Sequence, residues 1–278
     1  LSSPQDYGFS LETHCDIYSD ACLESAWEAE PVSSGKIKTL PILKAFPVHN
    51  IEIRQKIVDR VLSRRARYHL FDHFKPSETA LVVIDMQPTF VAPDSPAEVA
   101  ASRGIIQNIN TLAGDLRQKG TVICWVTHAN SPIGNGSDWD GFFNNFVAEE
   151  VREKTIESLT PGNPDTLVWQ ELDAEPEDVY LFKNRYSALI QGSSTLERVL
   201  RGRGIKNILI AGTKTNVCCE ATGRDAMMLD FNTVMISDCT AALSDEEHQA
   251  SLETFIQQFG DVLTYREVIE LVGRQANT

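Results

Sequence analysis

From Thr79 onward the chain alternates short β-branched runs with helical stretches, and this alternation restricts its fold more than any other feature. The runs are Ala80–Ile84, Thr121–Val126, Asp178–Phe182, Asn207–Ala211 and Thr233–Ser237. Strands separated by helices pair in parallel, because a parallel neighbour needs a crossover that returns the chain to the same end of the sheet. Crossovers of one hand lay helices over both faces. The expected fold class is α/β, in three layers with a mainly parallel central sheet. Ile105, Ile109, Leu112 and Leu116 form one helical stripe that Gly120 ends, and Leu252, Phe255, Ile256 and Phe259 form another that stops at Gly260. Ser194 with Glu197, and Ser244 with Glu247, have capping-box spacing.

Residues 1–76 read differently: turn-rich, acidic through Glu30, then basic from Arg60 to Arg67. They are expected to form an N-terminal extension of a hydrolase domain spanning 77–278. Within it Ile57, Val58, Val61 and Leu62 predict one helix, lying on its own domain or on a neighbouring subunit. With 25 Lys+Arg against 39 Asp+Glu the net charge is −14, which repels phosphate backbones, so nucleic acid is excluded as a partner. No apolar string approaches the roughly 20 residues that span a bilayer, so no membrane span is expected. No positively charged, apolar leader pattern is visible, and a cytoplasmic location is the expectation. Six irregularly spaced cysteines, two of them adjacent, suit no disulfide framework and read as reduced thiols.

Ligands of an open parallel sheet sit outside the carboxyl ends of its strands. Three reactive side chains fall there: Asp85 after the first run, Lys183 after the third and Cys218 a few residues beyond the fourth. Cys218 lies where Gly212 turns a strand into a helix, and a helix start with a nearby lysine favours thiolate over thiol. A depressed thiol pKa is therefore expected. Lys183 can hold the sulfur and the Asp85 carboxylate together in their charged forms.

These segments resemble the isochorismatase-like cysteine hydrolases, which include nicotinamidases, N-carbamoylsarcosine amidase, and ureidoacrylate and biuret hydrolases. The likeness is carried by Ala80 to Gln87, Phe182 to Ala188, Thr215 to Ala226 and Asn232 to Ala242, and covers about Thr79 to Leu271. It implies Asp85, Lys183 and Cys218 as catalytic triad, a cis peptide joining Thr213 to Lys214, and an oxyanion hole made by the backbone N–H groups of Lys214 and Cys218. It also implies a homo-oligomer, dimer or tetramer, and a small-molecule amide or ureido substrate cleaved through a thioester. Cys219, one residue on and about 100° around a helix, should face into packing.

Gln87, Trp139, Arg185 and Tyr186 are the candidate substrate contacts. Arginine's forked donors suit a carboxylate or ureido oxygen, which leans the substrate toward ureidoacrylate or carbamoyl compounds. Trp139 belongs to Asn130–Phe143, a segment that reads equally as a glycine-hinged lid, an oligomer contact or a packed loop. Nicotinamidases of the resembled family bind a metal through an aspartate and paired histidines. Here Pro88–Ser95 holds only Asp94 and His128 lacks a histidine partner, so neither metal nor cofactor is expected. Arg201 to Gly204 closes a helix before a strand, the reverse of a phosphate loop. Two rival readings are a non-catalytic scaffold on the same fold and a vinyl-ether-cleaving isochorismatase. The latter members lack the nucleophilic cysteine that Cys218 resembles.

Overall fold

A computed structural model describes residues 49–134 and 136–274. The part of the N-terminal extension before residue 49, with Cys15 and Cys22, lies outside the described residues. The strands are β1 (Thr79–Ile84), β2 (Val122–His128), β3 (Pro132–Ile133), β4 (Gly136–Ser137), β5 (Val179–Lys183), β6 (Asn207–Thr213), β7 (Asn232–Ala241) and β8 (Asp261–Leu263). Six of them form one sheet in the order β5-β2-β1-β6-β7-β8, every pairing parallel, while β3 and β4 make a small antiparallel ribbon. The expected three-layer α/β architecture is the one found.

All six residues of β1 are buried, and they serve two cores in alternation. Leu81 and Val83 point to one face, where helix Ile106–Gln118 packs its Ile109, Leu112 and Leu116 stripe. Ala80, Val82 and Ile84 point to the other, against Leu200, Ala226, Leu252 and Phe255. A strand covered on both faces loses the polar alternation of a surface strand, which explains the unbroken Ala-Leu-Val-Val-Ile.

The helices, in chain order, are α1 (Gln55–Arg65), α2 (Pro88–Val91), α3 (Ile106–Gln118), α4 (Asp140–Phe146), α5 (Glu149–Ser158), α6 (Leu196–Gly202), α7 (Glu220–Met228), α8 (Asp245–Gln258) and α9 (Tyr265–Leu271). Helix α1 is the one expected in the extension. It lies on α8 of its own domain, burying Ile57 and Val61, with Arg54 Nε 2.8 and 2.9 Å from the two Glu253 carboxylate oxygens and Arg60 bonded to Gln257 at 2.9 Å.

The sequence reading differs from the structure at element ends. Strands β2, β5, β6 and β7 run beyond the β-branched runs into His128, Lys183, Thr213 and Ala241, because sheet pairing continues through polar residues that propensity marks as loop. The three-residue β8 is too short to register as a period. Ser244 does cap α8, accepting from the Glu247 N–H at 3.2 Å. The Ser194–Glu197 box does not form: Thr195 precedes α6, and Ser194 Oγ accepts from the Leu196 N–H at 3.0 Å while donating to the Ala188 carbonyl at 2.6 Å. A complete box at Thr264 and Glu267 starts α9.

Gly212 makes the junction of β1 and β6 possible. Its φ is +111°, and a Cβ there would sit 2.0 Å from the Ile84 carbonyl oxygen. Gly212→Ala should therefore cost at least about 2 kcal/mol of stability in equilibrium denaturation. Gly114, inside α3 with open space around it, should gain about 0.4–1 kcal/mol on change to Ala. Equal effects of the two variants would refute this account of the junction.

Candidate active site

Four neighbouring strand ends each contribute one group. Reading across the sheet these are Lys183 from β5, His128 from β2, Asp85 just after β1, and Cys218 from the turn after β6. Their register explains the convergence, since His128 pairs with Lys183 and Ile84 with both Val126 and Gly212. Asp85 adopts a left-handed φ of 54°, which aspartate tolerates better than most residues, while its N–H still reaches the Val126 carbonyl at 2.8 Å.

Lys183 is fully enclosed, at 1% exposure, and so is Asp85. Its Nζ lies 2.9 Å from Asp85 Oδ2, 3.0 Å from His128 Nδ1 and 3.1 Å from the Arg185 carbonyl. Two hydrogen-bond acceptors and the opposite charge of the Asp85 carboxylate surround the ammonium, the kind of compensation a buried lysine requires. Because an ammonium can only donate, His128 Nδ1 accepts, and Nε2–H donates to Asn130 Oδ1 at 2.8 Å. Burial, then the charge of Lys183, holds the imidazole pKa well below its ordinary value, so His128 is neutral.

The electrostatics reverse one expectation from the sequence. Burial, reinforced by the adjoining Asp85 carboxylate, pushes the Cys218 thiol up to about 12, although Lys183 and Lys214 pull the other way. Lost hydration and the Asp85 charge outweigh the pull of the two lysines. The resting sulfur therefore carries its proton, beside a carboxylate whose own pKa burial also raises against the pull of Lys183. Lys183 stays cationic: burial opposes its charge, but Asp85 and then Cys218 outweigh that cost.

Cys218 stands in a single wide turn of π helix, Thr215–Cys219, that leads into α7, and the Thr213–Lys214 peptide preceding it is cis. The turn is braced from α8. Thr215 Oγ1 pairs with His248 Nδ1 at 2.8 Å, and Ser251 Oγ donates to Glu220 Oε2 at 2.6 Å. Burial keeps His248 neutral by lowering its pKa to about 3. Cys219 faces away, wholly buried, with its thiol toward the Ala211 carbonyl at 3.8 Å.

A cavity of about 270 Å³ opens over Cys218, walled by Phe90, Trp139, Phe142, Phe143, Tyr186 and aliphatic residues of α5 and its flanks. Trp139 and Tyr186 line it, as the sequence suggested; Gln87 and Arg185 do not. Gln87 is spent on backbone, its Nε2 donating to the His128 and Asp165 carbonyls at 3.0 Å each and its Oε1 accepting from His128 N–H at 2.6 Å. Arg185 donates to the carbonyls of Asn184 at 2.6 Å and Asp138 at 2.9 Å, with its guanidinium over Trp139. Together with Asp138, which bonds Asn130 and Asn184, it fastens the Trp139 segment as a packed cavity wall. Sequence reasoning also missed the His128 contact to Lys183, for which only its place at the end of β2 could have served as a signal.

Among the described residues no three His, Cys, Asp or Glu side chains converge on a metal-sized site. No described helix is long and apolar enough to cross a membrane.

A buried acid, lysine and cysteine thus meet at the carboxyl ends of a parallel sheet. The family model described as isochorismatase domain matches residues 79–267, and the chain belongs to the isochorismatase family of hydrolases. A cysteine hydrolase from Pseudomonas syringae pv. phaseolicola is similar at 29% identity and TM-score 0.65, over 73% of this chain and 96% of its own. The N-carbamoylsarcosine amidase of Thermoplasma acidophilum (20% identity, TM-score 0.55, 68% of this chain and 96% of that one) shares the fold. So does the pyrazinamidase of Pyrococcus horikoshii (23%, 0.56, 67% and 99%), solved in complex with zinc.

Asp85→Asn removes the negative charge beside the sulfur, so the pH profile of iodoacetamide labelling at Cys218, read by peptide mass, should move to lower pH. An unchanged or upward profile would separate the two groups. Lys183→Met leaves Asp85 buried without its partner and should cost about 3–5 kcal/mol in denaturant unfolding.

Proposed function

We propose that the protein is a cysteine-dependent amidohydrolase that cleaves a linear amide or ureido C–N bond of a small molecule. The observation that carries this reading is the meeting of Asp85, Lys183 and Cys218 beneath one cavity. Residues 77–278 are the hydrolase unit in this reading, and 49–76 clasp it.

The cycle begins with a proton passing from the Cys218 thiol to Asp85 as sulfur attacks the carbonyl carbon. A thiol at about 12 is a poor nucleophile until that transfer, which makes the neighbouring carboxylate indispensable rather than supplementary. Lys183 stabilises the charge left between sulfur and carboxyl throughout. The backbone N–H groups of Lys214 and Cys218 receive the oxyanion, each such donor contributing roughly 3 kcal/mol in comparable sites. Protonated Asp85 then gives its proton to the leaving nitrogen, and ammonia or an amine departs from a Cys218 thioester. Water, losing a proton to Asp85, releases the acid and restores the thiol. No cofactor enters these steps.

The aromatic cavity supports a planar or apolar acyl portion. Arg185 does not carry the lean toward ureidoacrylate or carbamoyl compounds, because its guanidinium is spent on the Asn184 and Asp138 carbonyls.

An ammonia-release screen over nicotinamide, ureidoacrylate, carbamoylsarcosine, biuret and simple amides tests the reading. Cys218→Ser and Asp85→Asn should each lose at least about a hundredfold in kcat with unchanged circular dichroism. Full turnover by the Cys218 variant would reassign the nucleophile. Inactivity of the unaltered protein toward every C–N substrate, with Cys218 resistant to alkylation, would favour the scaffold alternative.

A further inference from the structure

Lys214 is the only formally charged side chain among the residues lining the cavity over Cys218. The remaining walls are aromatic, aliphatic or neutral polar, and His128 is uncharged there. Lys214 is half-buried, and its ammonium has no hydrogen-bonded or ion-paired partner among the described residues. The other cations of the neighbourhood are committed: Lys183 to the Asp85 charge and two acceptors, Arg185 to two carbonyls. A lysine in a largely apolar recess keeps part of its hydration cost unreturned, and its field is less screened than at the surface. Its charge also reaches the reacting groups, favouring the ionised forms of both Asp85 and Cys218. In a chain of net charge −14 that repels anions generally, a cation without a partner among the described residues, on a residue lining the cavity, selects for an anion locally.

We propose that Lys214 receives a carboxylate of the substrate, so that the compound cleaved is an amide whose small planar or apolar body carries an anionic group close to the scissile carbonyl. This rests on the amide-cleavage reading of the same site and adds the charge of the substrate to it. The cavity of about 270 Å³ falls just under the roughly 300–1,000 Å³ of sites for larger ligands, which suits a single ring or a short chain. For a ring-borne primary amide the balance is one amide and one water giving a dicarboxylate and ammonium. The bonds broken and formed are those of the thioester cycle, and Lys214 enters only as the anchor of the second carboxylate.

Benzamide and its ortho, meta and para carboxylated forms measure the placement. At least one carboxylated isomer should exceed benzamide tenfold or more in kcat/KM, mainly through KM. In Lys214→Met the ratio of that isomer to benzamide should fall to about one, whatever happens to the common rate, while Lys214→Arg should keep most of it. Equal use of benzamide and all three isomers, a ratio that survives Lys214→Met, or a loss confined to kcat and shared by both substrates would overturn the proposal; the last would place the ammonium on the oxyanion instead. A second readout is independent of turnover: protection of Cys218 from iodoacetamide by benzoate and phthalate. Protection should weaken tenfold or more in Lys214→Met, with benzyl alcohol indifferent to the change. Carboxylates that protect without any amide being cleaved would support the anion site and refute the amidase reading. Absent protection, or protection equal to that by benzyl alcohol, would refute the anion site itself.

Discussion

The buried ion pair of Lys183 and Asp85 is the interaction around which this molecule is organised. Neither charge tolerates burial alone, so each dictates the position of the other and of the strand that carries it. The 2.9 Å contact spans the end of β2, and the neutral imidazole of His128 at that end supplies the ammonium with a hydrogen-bond acceptor. The Arg185 carbonyl supplies another. A lysine so placed stays charged against its burial. The fold thereby keeps a fixed positive centre beside the one sulfur that faces the cavity.

That arrangement governs the chemistry available. A thiol pushed up to about 12 by burial and by a neighbouring carboxylate does not rest as a free thiolate, and in the proposed cycle it loses its proton to that carboxylate when an electrophile arrives. In that cycle the same contact that raises the thiol pKa supplies the base that removes the proton.

The second level of construction concerns rigidity. The π turn bearing Cys218 is braced through Thr215 and Ser251 to α8, and α8 is clasped by α1 through Glu253. On the opposite wall, Arg185 and Asp138 spend their hydrogen bonds on the Trp139 segment. Side chains with chemically active heads therefore serve as struts. This is why Arg185, attractive from its residue type and its distance from Lys183, contributes no donor to the cavity, and why Lys214 is left as its cation.

The sequence by itself determined the layered parallel sheet, since strands buried on both faces write uninterrupted β-branched runs that no surface strand would carry. It also placed three candidate side chains at one edge, because strand ends in such a sheet share that edge and Asp85, Lys183 and Cys218 lie at or just beyond one. The Cys219 orientation came with them, from helical rotation alone. Only the tertiary structure decided what those groups experience. Burial, a property of the whole packed domain, turned an expected thiolate into a thiol. Side-chain direction, set by which carbonyls lie within reach, left Gln87 and Arg185 out of the cavity lining and brought His128 to Lys183. Local pattern records which residues can be buried and where strands end; hydration and partner geometry arise only between segments that lie far apart in the chain.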